Sequence, residues 1–89
     1  MKVLKFGAVW CPGCIVMKPV WAEIEKELPA LKTQYFDIDE NSAEAKQWGV
    51  ADEIPVFIFL DKAGNEFARK KGQISKKELL EFIEENKEK

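Results

Sequence analysis

Val56-Phe57-Ile58-Phe59-Leu60 is an unbroken apolar run of strong β-formers, with no position suited to face water. A strand of this kind has to be covered on both faces, whereas a half-exposed strand would alternate apolar with polar residues. The rest of the chain must therefore supply a covering layer on each side of a sheet. At 89 residues it can do so only once, which predicts a single domain over 1–89. Three Trp and six Phe provide the bulk that a core in so short a chain needs.

The flanking segments show where those layers come from. Val3 to Val9 places apolar residues on both alternating faces and predicts a second covered strand. Cys14, Met17, Trp21, Ile24 and Leu28 then recur at steps of three and four, which puts them on one face of a helix. Pro12 suits its first turn, Pro19 predicts a kink inside it, and Pro29 ends it. Lys32 to Ile38 reads as a third strand, closing in the acidic stretch Asp37-Ile38-Asp39-Glu40. Ser42 to Trp48 reads as a short helix stopped by Gly49. The turn Asp61 to Asn65 joins the central run to Glu66–Lys71, a hairpin partner whose Arg69, Lys70 and Lys71 suit an exposed sheet edge. Ser75 and Glu78 have capping-box spacing at the head of a last helix, whose apolar face carries Leu79, Leu80, Phe82 and Ile83. Glu84 to Lys89 reads as a solvated end.

The predicted order is β-α-β-α-β-β-α. Its first three elements imply parallel strands with a right-handed crossover, and the hairpin adds two antiparallel strands. The expected class is α/β, a mixed four-stranded sheet flanked by helices.

Composition removes several functions. A formal net charge of −2 with mixed signs leaves no basic footprint for nucleic acid and no polybasic face for a membrane. No apolar run approaches the ~18 residues of a membrane span. Lys5 interrupts the apolar start and no small-residue cleavage site follows, so that segment reads as a strand rather than a signal peptide. The expected compartment is the cytoplasm. The absence of histidine excludes Ser–His, Cys–His and His-ligated metal chemistry. Gly64-Asn65-Glu66 is an ordinary turn, so no Gly-rich phosphate loop exists.

What remains is the pair Cys11 and Cys14, set between the first strand and the first helix. In a reducing compartment, two such cysteines point to redox or metal chemistry before a structural staple. Two thiolates fill half a tetrahedral zinc site, so a zinc or iron–sulfur site would need a dimer pooling four cysteines. Three readings stand at this point: a dithiol–disulfide enzyme, a metal site shared between chains, and a non-catalytic binding module.

The motif Trp10-Cys11-Pro12-Gly13-Cys14, followed by Pro19, Ile54-Pro55-Val56 and Gly72, resembles the thioredoxin family over essentially the whole chain. The extra N-terminal strand and helix of full-length members have no counterpart. The resemblance implies a minimal thioredoxin fold, a cis Ile54-Pro55 bond beside the cysteines, and cofactor-free thiol–disulfide exchange. It implies protein disulfides as substrates, an unidentified thiol or disulfide reductase as electron source, and a monomer.

Within that frame, Cys11 at a helix N-terminus has its thiolate favoured by unpaired N–H groups and the helix dipole. Cys11 is then the attacking sulfur and Cys14 the resolving one. Trp10, Ile54, Pro55 and Gly72 are the expected substrate-binding residues, the loop pairing with an extended segment in β-addition fashion. Trp10, Pro12, Gly13 and Lys5 are expected to support the site, with core filling as the other use of Trp10.

Three departures stand out. Pro12-Gly13 replaces the usual Gly-Pro, which leaves the redox poise open. Lys5 stands where the family has a buried Asp, and it either tunes the cysteines or snorkels to solvent. Asp52 and Glu53 before Ile54 predict a negative rim that disfavours glutathione, or else are plain solvated loop residues.

Overall fold

The computed structural model describes all 89 residues and places four strands and three helices. In chain order these are β1 (Lys2–Gly7), α1 (Pro12–Glu27), β2 (Lys32–Asp37), α2 (Ser42–Gln47), β3 (Val56–Leu60), β4 (Glu66–Lys71) and α3 (Lys76–Glu85). They form one mixed sheet in the order β2-β1-β3-β4. β1 runs parallel to β2, with Lys5 opposite Tyr35 and Gly7 opposite Asp37. β1 and β4 both run antiparallel to β3, and the β3–β4 register shifts at Phe59/Leu60.

Every residue of β3 is buried, as its composition demands. Phe57 and Phe59 point to one face with Val3, where Met17, Trp21 and Ile24 of α1 meet Leu79 and Ile83 of α3. Val56, Ile58 and Leu60 point to the other face with Leu4 and Phe6, covered by Ala45 of α2 and Val50 after it. Each of these large side chains contributes about 2 kcal/mol by leaving water, so the two faces together hold the domain.

Several boundaries differ from expectation. β1 ends at Gly7 rather than Val9, because the Cys11 N–H bonds the Ala8 carbonyl at 3.2 Å and turns the chain into α1. Val9 is consequently left 82% exposed. The α1 helix runs Pro12–Glu27 with Pro19 inside it, where the sequence placed that proline. The Ser75 hydroxyl accepts from the Glu78 N–H at 3.1 Å, which is half a capping box. The Glu78 carboxylate instead faces Lys70 on β4. Residues Glu84 and Glu85 belong to α3, so only the last few residues lie beyond the helix.

Candidate active site

The site forms where β1 releases the chain into α1. Cys11 is the N-cap residue of that helix, with extended backbone, and Pro12 fills the first turn. Its Sγ accepts a hydrogen bond from the Cys14 N–H at 3.2 Å, satisfying one of the helix's unpaired donors. Cys11 and Cys14 are joined as a disulfide, their Cα atoms 5.2 Å apart. Cys11 is only 4% exposed, while Cys14 is partly exposed.

Ile54-Pro55 is a cis peptide, as the resemblance implied. The Ile54 carbonyl lies 3.7 Å from the Cys11 Sγ. Pro55 packs on Gly13, where an added Cβ would sit 3.2 Å from the proline Cδ. The Pro55 carbonyl accepts from the Gly72 N–H at 2.8 Å. Gly72 adopts φ +81°, a conformation that favours glycine, so its first task is to hold this loop.

Trp10 is 55% exposed, and its Nε1–H donates to Asp39 Oδ2 at 2.7 Å. That arrangement replaces core filling with a surface ring held at a fixed angle. The sequence reading missed Asp39, and it missed Gln73, whose side chain lies 3.7 Å from the position of a Gly13 Cβ. The negative rim is also weaker than expected, since Glu53 pairs with Lys71 on β4 at 2.6 Å. That bond and the lysine charge hold the Glu53 carboxyl below its usual range.

Behind the disulfide, β1, β2 and α1 enclose a cleft of about 480 Å3, lined by Cys14, Lys5, Lys18, Trp21, Glu25 and Tyr35 among others. The Lys5 side chain is 15% exposed and does not snorkel free. Its Nζ donates to Glu25 Oε2 at 2.6 Å, and the same oxygen accepts from the Thr33 hydroxyl at 3.0 Å. The charge that departs from the family pattern is thus held by a carboxylate from α1. Trp21, buried beside it, holds the one buried side-chain nitrogen without a protein partner. No cluster of three or more His, Cys, Asp or Glu side chains is placed to hold a metal.

Among known proteins, a family model described as Thioredoxin matches residues 1–85. A thioredoxin of Chlamydia pneumoniae is 36% identical over 83 residues, covering 93% of this chain and 79% of that protein. Thioredoxin H-type 1 of Nicotiana tabacum is 35% identical over 81 residues, and the match covers 91% of this chain but 61% of the tobacco protein. The crystal structure of a thioredoxin from Nicotiana alata superposes with a TM-score of 0.84 at 33% identity, covering 94% of this chain and 70% of that one.

Proposed function

The chain belongs to the thioredoxin family, whose members are dithiol–disulfide oxidoreductases, and we propose that it reduces protein disulfides by exchange through Cys11 and Cys14. The observation that carries this reading is the Cys11 Sγ at the N-terminus of α1, bonded by the Cys14 N–H and joined to the Cys14 sulfur. Once the pair is reduced, the N-terminal N–H groups and the positive end of the helix dipole favour a thiolate at Cys11 over one at Cys14.

The Cys11 thiolate attacks a substrate disulfide, forming a mixed disulfide and releasing one substrate sulfur as thiolate. Cys14 then attacks the Cys11 Sγ, closing the Cys11–Cys14 bond and releasing the second substrate sulfur. Two electrons pass to the substrate and none are lost. The sulfur of Cys11 is largely covered in the disulfide state, so the attacking thiolate becomes accessible as that bond opens. Trp10, held by Asp39, and the Ile54-Pro55 loop, held by Gly72, border the cysteines on the surface an extended substrate would meet. Their backbone suits addition of a peptide strand.

The electron source is an external thiol or disulfide reductase. The chain works as a cofactor-free monomer in the cytoplasm, with neither nucleic acid nor membrane as partner. No helix is long and apolar enough to cross a membrane.

Insulin reduction with dithiothreitol as electron source tests the reading. The wild-type chain accelerates precipitation of the insulin B chain, and Cys11→Ser reduces the rate to that of dithiothreitol alone. Equal rates for the two proteins would overturn it.

A further inference from the structure

Cys14 has to lose its proton before it can attack, and the helix dipole that serves Cys11 gives it no comparable help. The groups facing it are set by Gly7. A Cβ at Gly7 would lie 3.1 Å from the Cys14 Sγ and 3.1 Å from the Tyr35 hydroxyl. The two atoms therefore converge on one point, separated by no more than twice that distance. Tyr35 belongs to β2 and reaches over β1, where the absence of a side chain at Gly7 leaves the path to the sulfur open.

We propose that Tyr35 is a specific donor for the resolving step: its hydroxyl hydrogen-bonds the Cys14 thiolate once the disulfide opens. In the disulfide state no hydrogen bond joins them. Reduction creates the acceptor in place. Tyr35 is 50% exposed as a residue; partial desolvation of its phenol first, then the carboxylates of Asp37 and Glu40, raise its pKa, so it keeps its proton at neutral pH and presents a donor.

The other charged groups around Cys14 do not take this role. Lys5 from β1 and Glu25 from α1 neutralise each other. Lys18 on α1 is exposed, and Pro55 and Phe57 from the β3 side carry no charge. In the step itself, the Cys14 proton leaves to solvent and the Cys14 thiolate forms the bond to Cys11. The bond from Cys11 to the substrate breaks, and the departing substrate sulfur takes up a proton.

This inference rests on the dithiol-exchange reading, and the experiment separates the two. Reduced protein is mixed with excess 5,5′-dithiobis(2-nitrobenzoate), and the two thionitrobenzoate releases are followed in stopped flow. The first release depends on reagent concentration and reports Cys11. The second does not, and reports resolution by Cys14. A hydrogen bond to a charged acceptor shifts a titration by about one unit, so Tyr35→Phe moves the pH midpoint of the second release upward by about that much. A more basic thiolate is also a better nucleophile, which offsets part of the loss. Resolution at neutral pH therefore slows about three- to fivefold, and the two pH profiles meet or cross on the alkaline side.

An unchanged midpoint overturns the proposal, and so does uniform slowing at every pH, which is what a merely structural tyrosine gives. A wild-type protein without a concentration-independent second release overturns the dithiol-exchange reading itself. In the Cys11→Ser background, where Cys14 is the only thiol, the pH dependence of its alkylation by iodoacetamide must show the same upward shift on adding Tyr35→Phe.

Discussion

Gly7 is a glycine for reasons of space. Its φ lies outside the left-handed region, so any residue could adopt its backbone. A methyl group there would lie 3.1 Å from the Cys14 Sγ, 3.3 Å from the Cys14 Cβ and 3.1 Å from the Tyr35 hydroxyl, tight enough that a neighbour must move. In the dithiol form the Cys14 side chain is free to rotate away from the intruding methyl. In the disulfide form it is tethered to Cys11 and cannot. Gly7→Ala is therefore expected to destabilise the folded disulfide form by about 1–2 kcal/mol and the dithiol form by less. The reduction potential reads the difference between the two forms and becomes less negative by at most about 20–40 mV, since 30 mV corresponds to ~1.4 kcal/mol in a two-electron couple. Equilibration against a dithiothreitol redox buffer measures the shift, and a more negative potential would contradict the steric account.

The residues legible in the sequence were those whose meaning is local. Cys11, Pro12, Gly13 and Cys14 lie on one turn, and their spacing alone brings them together. Asp39, Gln73, Tyr35 and Glu25 were not legible, because each reaches the site from another element. Tyr35 looks like any strand aromatic until the parallel register sets it opposite Lys5, two residues from Gly7.

At the scale of elements, the junction of β1 with α1 carries the charge that was expected to distinguish this chain. Lys5 was readable as a departure, but its partner was not, since Glu25 is one of several acidic residues on α1 and only the packing angle selects it. The pair makes a signed prediction. Lys5→Met leaves the Glu25 carboxylate uncompensated at the cleft and moves the Cys14 alkylation midpoint, measured in the Cys11→Ser background, upward. Glu25→Gln leaves the Lys5 ammonium uncompensated and moves it downward. Each shift is about half a unit, because the pair is partly solvated and its field is screened. Shifts of the same sign, or none in either variant, would show that the pair only holds α1 against β1.

The helices themselves were readable from periodicity, whereas the end of β1 was misplaced by two residues. Ala8 and Val9 are as apolar as the strand before them. The turn that removes them from the sheet comes from the Cys11 N–H and the Ala8 carbonyl, which no side chain announces.

The fold as a whole followed from β3, since one strand dry on both faces requires two layers, and the order of elements leaves few ways to supply them. Ion pairs then set how that fold responds to pH. The Glu53 carboxyl is lowered by its bond to Lys71, and the Glu66 carboxyl by its bond to Arg69. Both bind protons less readily in the folded chain than in the unfolded one. Their stabilisation is present above the ordinary carboxylate value of 4.5 and is lost as pH falls through the lower folded values. On the other side, Lys76 is raised by hydrogen bonds to Glu27 and Glu23 across the α3–α1 contact, and the half-exposed Tyr35 is raised by partial desolvation and then by Asp37 and Glu40. Their contribution is present below the ordinary values of 10.5 and 10.0 and is lost as pH rises beyond them. The expected profile of the urea midpoint is flat between about pH 5.5 and pH 9 and falls on both sides. The acid limb is shallow, because both pairs lie near the surface, and it flattens further in high salt as screening removes the attraction. A urea midpoint that rises between pH 5 and pH 3 would mean that these carboxylates repel their neighbours instead of binding them, contrary to the placement of Glu53 against Lys71 and Glu66 against Arg69.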